Sequence, residues 1–193
     1  EIADENVWAS EKKVTFTVTE TGSGIKKITV KKPDGSDAAV NGALTDSSFS
    51  FIADQIGAYT IDVDDNAGNS AIQINKTISK IDTSTLSITN IKNDGSGIDD
   101  AWINTGREVI FSITGGQSGL KSGMPQVMMD AENLTVTDNG NGNYSFTAPE
   151  NGAYKIIAES ESGDKKEVIG TISKIDTDAP VTAITEIADE NVW

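Results

Sequence analysis

An internal repeat constrains the architecture of this chain more than any other feature of its sequence. The segment EIADENVW occupies residues 1–8 and returns unchanged at 186–193, an offset of 185 residues. Within that span, TISKIDT stands at 77–83 and again at 171–177, an offset of 94 residues. We therefore expect a longer array of 185-residue units, natural or built to resemble one, in which each unit is a pair of diverged domains.

Alternating apolar residues predict short β-strands in both halves of the unit. In VTFTVT (14–19), Val14 and Phe16 share one face, and EVIFSIT (108–114) repeats the pattern. Clusters of Gly, Asn, Asp and Ser separate the apolar segments at the spacing typical of a sandwich. Because no stretch carries the apolar stripe of an amphipathic helix, the sequence predicts an all-β fold.

The repeat and the strand pattern together divide the chain into three parts. We predict two tandem immunoglobulin-like β-sandwiches, domain 1 at 1–82 and domain 2 at 83–177, followed by the opening strand of the next repeat at 178–193. The residues expected in the first core are Val14, Phe16, Ile28, Val30, Phe51, Tyr59, Ile61 and Val63. Those expected in the second core are Val109, Phe111, Ile113, Phe146, Tyr154 and Ile156.

Composition argues against several classes of function. Cysteine and histidine are both absent, so the chain lacks a thiol nucleophile, the commonest general base and the commonest zinc ligands. A formal net charge of −15 disfavours nucleic acid and anionic membranes as partners. No apolar run approaches the ~20 residues of a membrane span, and no Gly-rich phosphate loop opens a helix. We therefore expect a protein that is not an enzyme and holds no organic cofactor.

The stretch GAYTIDVDDNAGNSAIQINKTISKIDTS (57–84) resembles the closing hairpin and exit linker of bacterial immunoglobulin-like (Big-type) tandem repeat domains of cell-surface proteins and adhesins. In that family a G-x-Y strand leads into a D-x-A-G-N turn, and an I-D-T-x-x-P linker follows, as at residues 175–180. The second hairpin, GAYKIIAESESGDKK (152–166), keeps the Gly, the Tyr and the turn Gly but lacks the Asp-Asn-Ala.

The resemblance implies a non-catalytic structural spacer, a stalk on a bacterial surface that projects a distal functional domain into the extracellular space. Two alternatives stay open at this point. The chain is either itself a module that binds a glycan or a host protein, or an accessory module of an extracellular hydrolase. An exposed cluster of aromatic residues would favour glycan binding, whereas many copies of the unit would favour the stalk.

Four paired aromatic residues are interpreted as structural. Tyr59 and Tyr154 begin equivalent strands, where each is either a tyrosine corner or a plain core aromatic residue. Trp8 and Trp102 occupy matching positions and are interpreted as anchors in the core or at the domain junction, with sugar stacking as the alternative. Lys12 and Lys13 are expected on a solvated strand edge, which disfavours an isopeptide cross-link.

Calcium is the main alternative to treating the many acidic residues as a soluble surface. The segment NDGSGIDD (93–100) places oxygen side chains around glycines, and the turns beside the domain linker carry further carboxylates. The candidate calcium ligands are Asp94, Asp99 and Asp100 in the segment, and Asp82, Glu161 and Asp164 at the junction. The segment lacks the terminal bidentate Glu of a helix–loop–helix site.

The expected partners are neighbouring repeats. Residues 178–193 would open a domain whose remainder lies elsewhere, and their apolar set is Val181, Ile184 and Ile187. We expect this segment either to be disordered or to dock by strand addition along the edge of a neighbouring molecule. Such docking would complete the first domain of the next chain and join molecules head to tail.

Overall fold

A computed structural model describes residues 5–92 and 101–183. Within those residues the chain forms fifteen β-strands and no helix. The first half contains β1 (Lys12–Thr17), β2 (Ile25–Lys31), β3 (Asp37–Ala38), β4 (Val40–Asn41), β5 (Ser48–Ala53), β6 (Gly57–Asp65) and β7 (Ile74–Ile78). The second half contains β8 (Ser87–Lys92), β9 (Arg107–Thr114), β10 (Gln126–Met129), β11 (Glu132–Leu134), β12 (Val136–Gly140), β13 (Asn143–Ala148), β14 (Gly152–Glu159) and β15 (Lys165–Ile172).

The strands build two antiparallel β-sandwiches, which confirms the predicted fold class of two tandem immunoglobulin-like sandwiches. In the first, the sheet β1–β5–β4 packs against the sheet β3–β2–β6–β7. In the second, the sheet β12–β13–β9–β8 packs against the sheet β11–β10–β14–β15. Each sandwich buries the inward face of both sheets and leaves the other face to water, as alternating strands require.

Each sandwich has its own hydrophobic core. All six residues predicted for the second core are buried, as are five of the eight predicted for the first. The other three are half-buried and pack against the first core: Phe16, Ile28 and Val63. Phe16 stacks on the buried Phe49, with ring centroids 5.8 Å apart, so the aromatic layer extends to the rim of the sandwich.

The chain crosses from one sheet to the other at equivalent places in the two sandwiches. Ala39 separates β3 from β4, and Thr135 separates β11 from β12, and in each case the flanking strands belong to different sheets. The alternating segment NLTVT (133–137) would predict a single strand, and the crossing at Thr135 divides it. The alternation of apolar and polar residues does not reveal where the chain changes sheets, because the apolar residues before and after the crossing face the same core.

The two sandwiches differ at one edge. In the second, β8 pairs with β9 and adds Ile88 to the core, next to Leu86, which immediately precedes the strand. In the first, β1 pairs with β5, and no strand of the described residues pairs with its other edge. The first sheet therefore has three strands where its equivalent has four.

One sequence interpretation is wrong in this structure, and a second is wrong in part. Lys12 does not lie on a solvated edge, because it is only 4% exposed and its Nζ donates to the Glu5 carbonyl oxygen at 2.8 Å. Arg107 takes the equivalent place in the second sandwich and donates to the Ala101 carbonyl oxygen at 2.6 Å. Trp102 is 67% exposed and therefore does not anchor a core, whereas Trp8 is half-buried. An anchoring role for Trp102 at a domain junction stays a prediction. A period-two pattern cannot reveal a buried cation whose partner is a distant carbonyl group.

The two equivalent tyrosines are held differently. The Tyr59 hydroxyl accepts hydrogen bonds from Asp54 N (3.1 Å) and Gln55 N (3.0 Å), which is the tyrosine-corner arrangement. Tyr154 is equally buried, but Pro149 replaces Asp54 there and has no N–H to donate. Burial raises the pKa of both phenols, so both stay neutral at physiological pH.

This difference predicts unequal costs for removing the two hydroxyl groups. Tyr59→Phe should lower the free energy of unfolding by about 1–3 kcal/mol, because two backbone N–H groups lose their acceptor. Tyr154→Phe is the matched control and should have a smaller effect, since its hydroxyl accepts no such pair. Denaturant unfolding of the two variants measures both values, and equal losses would contradict the assignment of the corner to Tyr59 alone.

Candidate functional site

The segment that leaves the first sandwich is fixed by backbone bonds before it reaches the second. Residues 79–86 follow β7, and Ile81 pairs with Ala9 in a parallel bridge. Asp82 N donates to the Ala9 carbonyl oxygen at 2.9 Å, and Ile81 is buried in the first core. The position of Asp82 is therefore set by the first sandwich.

The Asp82 carboxylate joins the two sandwiches. Although charged, Asp82 is only 2% exposed, so its oxygens need hydrogen-bond donors. Oδ1 accepts from Ser84 N at 2.9 Å and from the Ser84 hydroxyl, both within the linker. Oδ2 accepts from Ser118 N at 2.6 Å, and Ser118 lies in the loop between β9 and β10. One side chain thus hydrogen-bonds both to the linker of the first sandwich and to the backbone of the second.

The electrostatics of Asp82 follow from this geometry. Burial alone would raise the pKa of the carboxyl, but the hydrogen bonds from Ser84 and Ser118 outweigh it and lower the pKa to about 2, from an ordinary value of 3.8. A carboxyl whose pKa falls on folding stabilises the fold above its unfolded pKa. That contribution is lost as the pH falls from the ordinary value toward 2.

Two further bonds hold the linker against the second sandwich. Leu86 N donates to Asp164 Oδ2 at 2.6 Å, and Asp164 stands in the turn between β14 and β15. Gln117 N donates to the Ser84 hydroxyl at 3.0 Å. Leu86 itself is buried in the second core, so the linker ends as part of the domain it enters.

The receiving loop requires two glycines. Gly115 and Gly116 have φ values of 87° and 68°, in the left-handed region that side chains rarely adopt. A Cβ on Gly115 would lie 2.0 Å from the Thr85 carbonyl oxygen, and one on Gly116 would lie 2.9 Å from a Leu86 methyl carbon. The linker backbone therefore passes directly against the loop.

The structure places the predicted calcium ligands as follows. Asp82 and Asp164 both reach the linker, but their oxygens accept N–H and hydroxyl donors of the protein. Glu161 is exposed in the same turn as Asp164. Residues 5–92 and 101–183 contain no group of three acidic side chains arranged to hold a metal ion. The remaining candidates lie outside the described residues: Asp94, Asp99 and Asp100. The calcium site stays a prediction.

Sequence reasoning missed the partner of Asp82. Ser118 and the two glycines before it were not singled out, because the group that matters at Ser118 is a backbone N–H, which every residue except proline carries. One signal was present. Ser-Gly recurs at 23–24 and 118–119, the same 95-residue offset that relates Phe16 to Phe111.

Comparison with known proteins adds little. No protein-family model matches the chain, and no curated protein matches it. A solved structure of the fibronectin(III)-like modules of CbhA from Clostridium thermocellum is similar at 11% sequence identity and a TM-score of 0.38, covering 96% of this chain and 99% of that one. A similarity of that size supports no conclusion about fold or function. The described residues include no helix long and apolar enough to cross a membrane.

The geometry of the junction predicts a position-specific effect of removing its carboxylate. Asp82→Ala should lower the free energy of unfolding of the second sandwich by about 1–3 kcal/mol, because the Ser118 and Ser84 N–H groups lose their acceptor. Asp176→Ala is the matched control, since Asp176 is the equivalent residue after the second sandwich and is exposed. Denaturant unfolding at neutral pH measures both, and equal effects of the two variants would overturn the assignment.

Calcium should leave this junction unchanged. Both Asp82 oxygens already accept protein donors, so a cation would have to displace them. We expect the same melting temperature and the same scattering profile in calcium and in chelator. A rise in melting temperature with calcium that Asp82→Ala abolishes would instead establish the predicted metal site.

Proposed function

We propose that this chain is a non-catalytic structural spacer of a bacterial extracellular surface protein, of the Big-type tandem repeat class, that projects a distal functional domain. The observation that carries the proposal is the junction at Asp82. A linker whose carboxylate is buried and bonded to the next domain transmits orientation, whereas a solvated linker would not.

The length of the linker supports a rod. Three residues separate Asp82 from the buried Leu86, and all five of the junction's hydrogen bonds involve a residue of the span from Asp82 to Leu86. So short a connection leaves little freedom for the second sandwich to swing. Repetition of such units extends a chain without requiring a binding surface on each.

Neighbouring repeats are the partners that the proposal requires. The open edge of β1 lacks the strand that β8 supplies to β9 in the second sandwich. Strand addition by the segment at 178–193 of a preceding repeat would supply it. In support, Val181 is 95% exposed and does not pack back onto its own second sandwich. Ile184 and Ile187 lie outside the described residues.

The spacer proposal predicts how length grows with the number of units. Chains of one, two and three 185-residue units should show a maximum dimension in small-angle scattering that increases by a constant increment. A flexible string of domains would instead lengthen roughly as the square root of the number of units. Square-root growth would contradict the spacer proposal.

A further inference from the structure

The chain leaves both sandwiches in the same conformation. Asp82 N donates to the Ala9 carbonyl oxygen at 2.9 Å, and Asp176 N donates to the Ile103 carbonyl oxygen at 2.8 Å. The lysine two residues before each aspartate has a left-handed φ, 57° in the first case and 64° in the second. The residue before each aspartate also forms a parallel bridge with the same partner, Ile81 with Ala9 and Ile175 with Ile103. Asp176 is therefore the structural equivalent of Asp82.

The two aspartates also begin the same turn. Asp82 Oδ1 accepts from Ser84 N at 2.9 Å, and Asp176 Oδ1 accepts from Asp178 N at 3.0 Å. They differ in what covers them. Asp82 is buried beneath the loop of the following sandwich, whereas Asp176 is exposed. The second sandwich thus exposes to solvent, at Asp176, the carboxylate equivalent to the one that closes the first junction.

The loop that receives Asp82 has an equivalent on the first sandwich. The Ser118 hydroxyl accepts from Ser162 N at 3.2 Å, and the Ser23 hydroxyl accepts from Ala67 N at 3.1 Å. The glycine after each serine has nearly the same φ, 83° and 84°. Ser23 therefore stands in the first sandwich where Ser118 stands in the second.

The Ser23 loop is held ready for a partner. Asn66 Nδ2 donates to the carbonyl oxygens of Ser23 (3.0 Å) and Gly24 (3.1 Å), which explains why the turn DNAGN carries this asparagine. Ser23 is exposed, and its N–H donates to no acceptor in residues 5–92 or 101–183. The equivalent N–H of Ser118 is the one that binds Asp82.

We propose that the Ser23 N–H of one unit donates to the Asp176 carboxylate of the preceding unit in the same polypeptide. The partner is thus a second copy of this chain, whose opening residues EIADENVW return at 186–193. The contact deepens the spacer function proposed above and rests on it. It gives the array two kinds of junction, one closed by Asp82 and one by Asp176.

A second pair of positions supports the proposal, because the N–H donor is lost there and the charged acceptor is replaced by a neutral amide. In the first junction Leu86 N donates to Asp164 at 2.6 Å. The equivalent positions hold Pro180, which has no N–H, and Asn69, whose side-chain amide donates to Asp65 at 2.7 Å. A junction that kept the carboxylate opposite Pro180 would leave a charged acceptor without this donor.

The second junction should be the looser of the two. Glu20 and Thr21 stand where the first junction has two glycines, so the linker from the preceding unit cannot pass as close to the loop. Gly22 N already donates to Glu20 Oε1 at 2.6 Å, and is not free for Asp178 as Gln117 N is for Ser84. The bond between Asp176 and Ser23 is left as the main polar contact.

A two-unit chain, residues 1–185 followed by the full 193 residues, tests the proposal with ¹⁵N in the second unit only. We expect the Ser23 amide of that unit to exchange with solvent at least about ten-fold more slowly than in the single unit, as befits an N–H bonded to a carboxylate. Asp176→Ala in the first unit should restore the fast rate. Glu150→Gln, at another exposed acid, should not.

Two results would overturn the proposal. One is a Ser23 amide that exchanges equally fast in the single and two-unit chains. The other is slow exchange that persists in Asp176→Ala. If either occurs while the scattering dimension still grows by a constant increment per unit, the spacer function stands and only this contact fails.

Discussion

The arrangement of this molecule depends on one buried carboxylate. Removing Asp82 from water is unfavourable unless its oxygens find donors, and a donor on Oδ2 comes only when the second sandwich lies against the linker. Hydrogen bonds to a charged acceptor are among the stronger ones, and the low pKa of Asp82 reflects them. The desolvation of a single side chain thereby couples the orientations of two domains whose hydrophobic cores are separate.

The two halves of the unit show how one scaffold diverges while its exits stay alike. The first closes its corner with the Tyr59 hydroxyl. The second holds the segment after β15 through the Asn151 side chain, which both donates to and accepts from the Ile175 backbone at 2.8 Å. Lys12 and Arg107 fill the same buried cationic position with different chemistry. Both halves retain the turn that begins at Asp82 or Asp176, and this turn places the linker toward the next domain of an array.

The sequence predicted the parts of the fold that local pattern controls. Alternation located β1 and β9, and it placed Val14 and Phe111 in the cores, because a strand with one buried face must alternate. It failed where burial depends on distant groups, as for Lys12, which is compensated by a carbonyl oxygen of a preceding segment. At the candidate site, the sequence identifies Asp82 as a junction residue and predicts it as a calcium ligand, and the calcium site stays a prediction. Its hydrogen-bond partner in the second sandwich is the backbone N–H of Ser118, which residue type alone does not predict.

Residual dipolar couplings of backbone amides in this chain test the central claim most directly. If Asp82 fixes the junction, both sandwiches should report one common alignment tensor at neutral pH, and Asp82→Ala should split it into two of unequal magnitude. Because the contribution of Asp82 is lost as the pH falls from 3.8 toward about 2, acidification through that range should act in the same direction as the substitution. Two independent tensors in the unaltered chain at neutral pH would contradict the account.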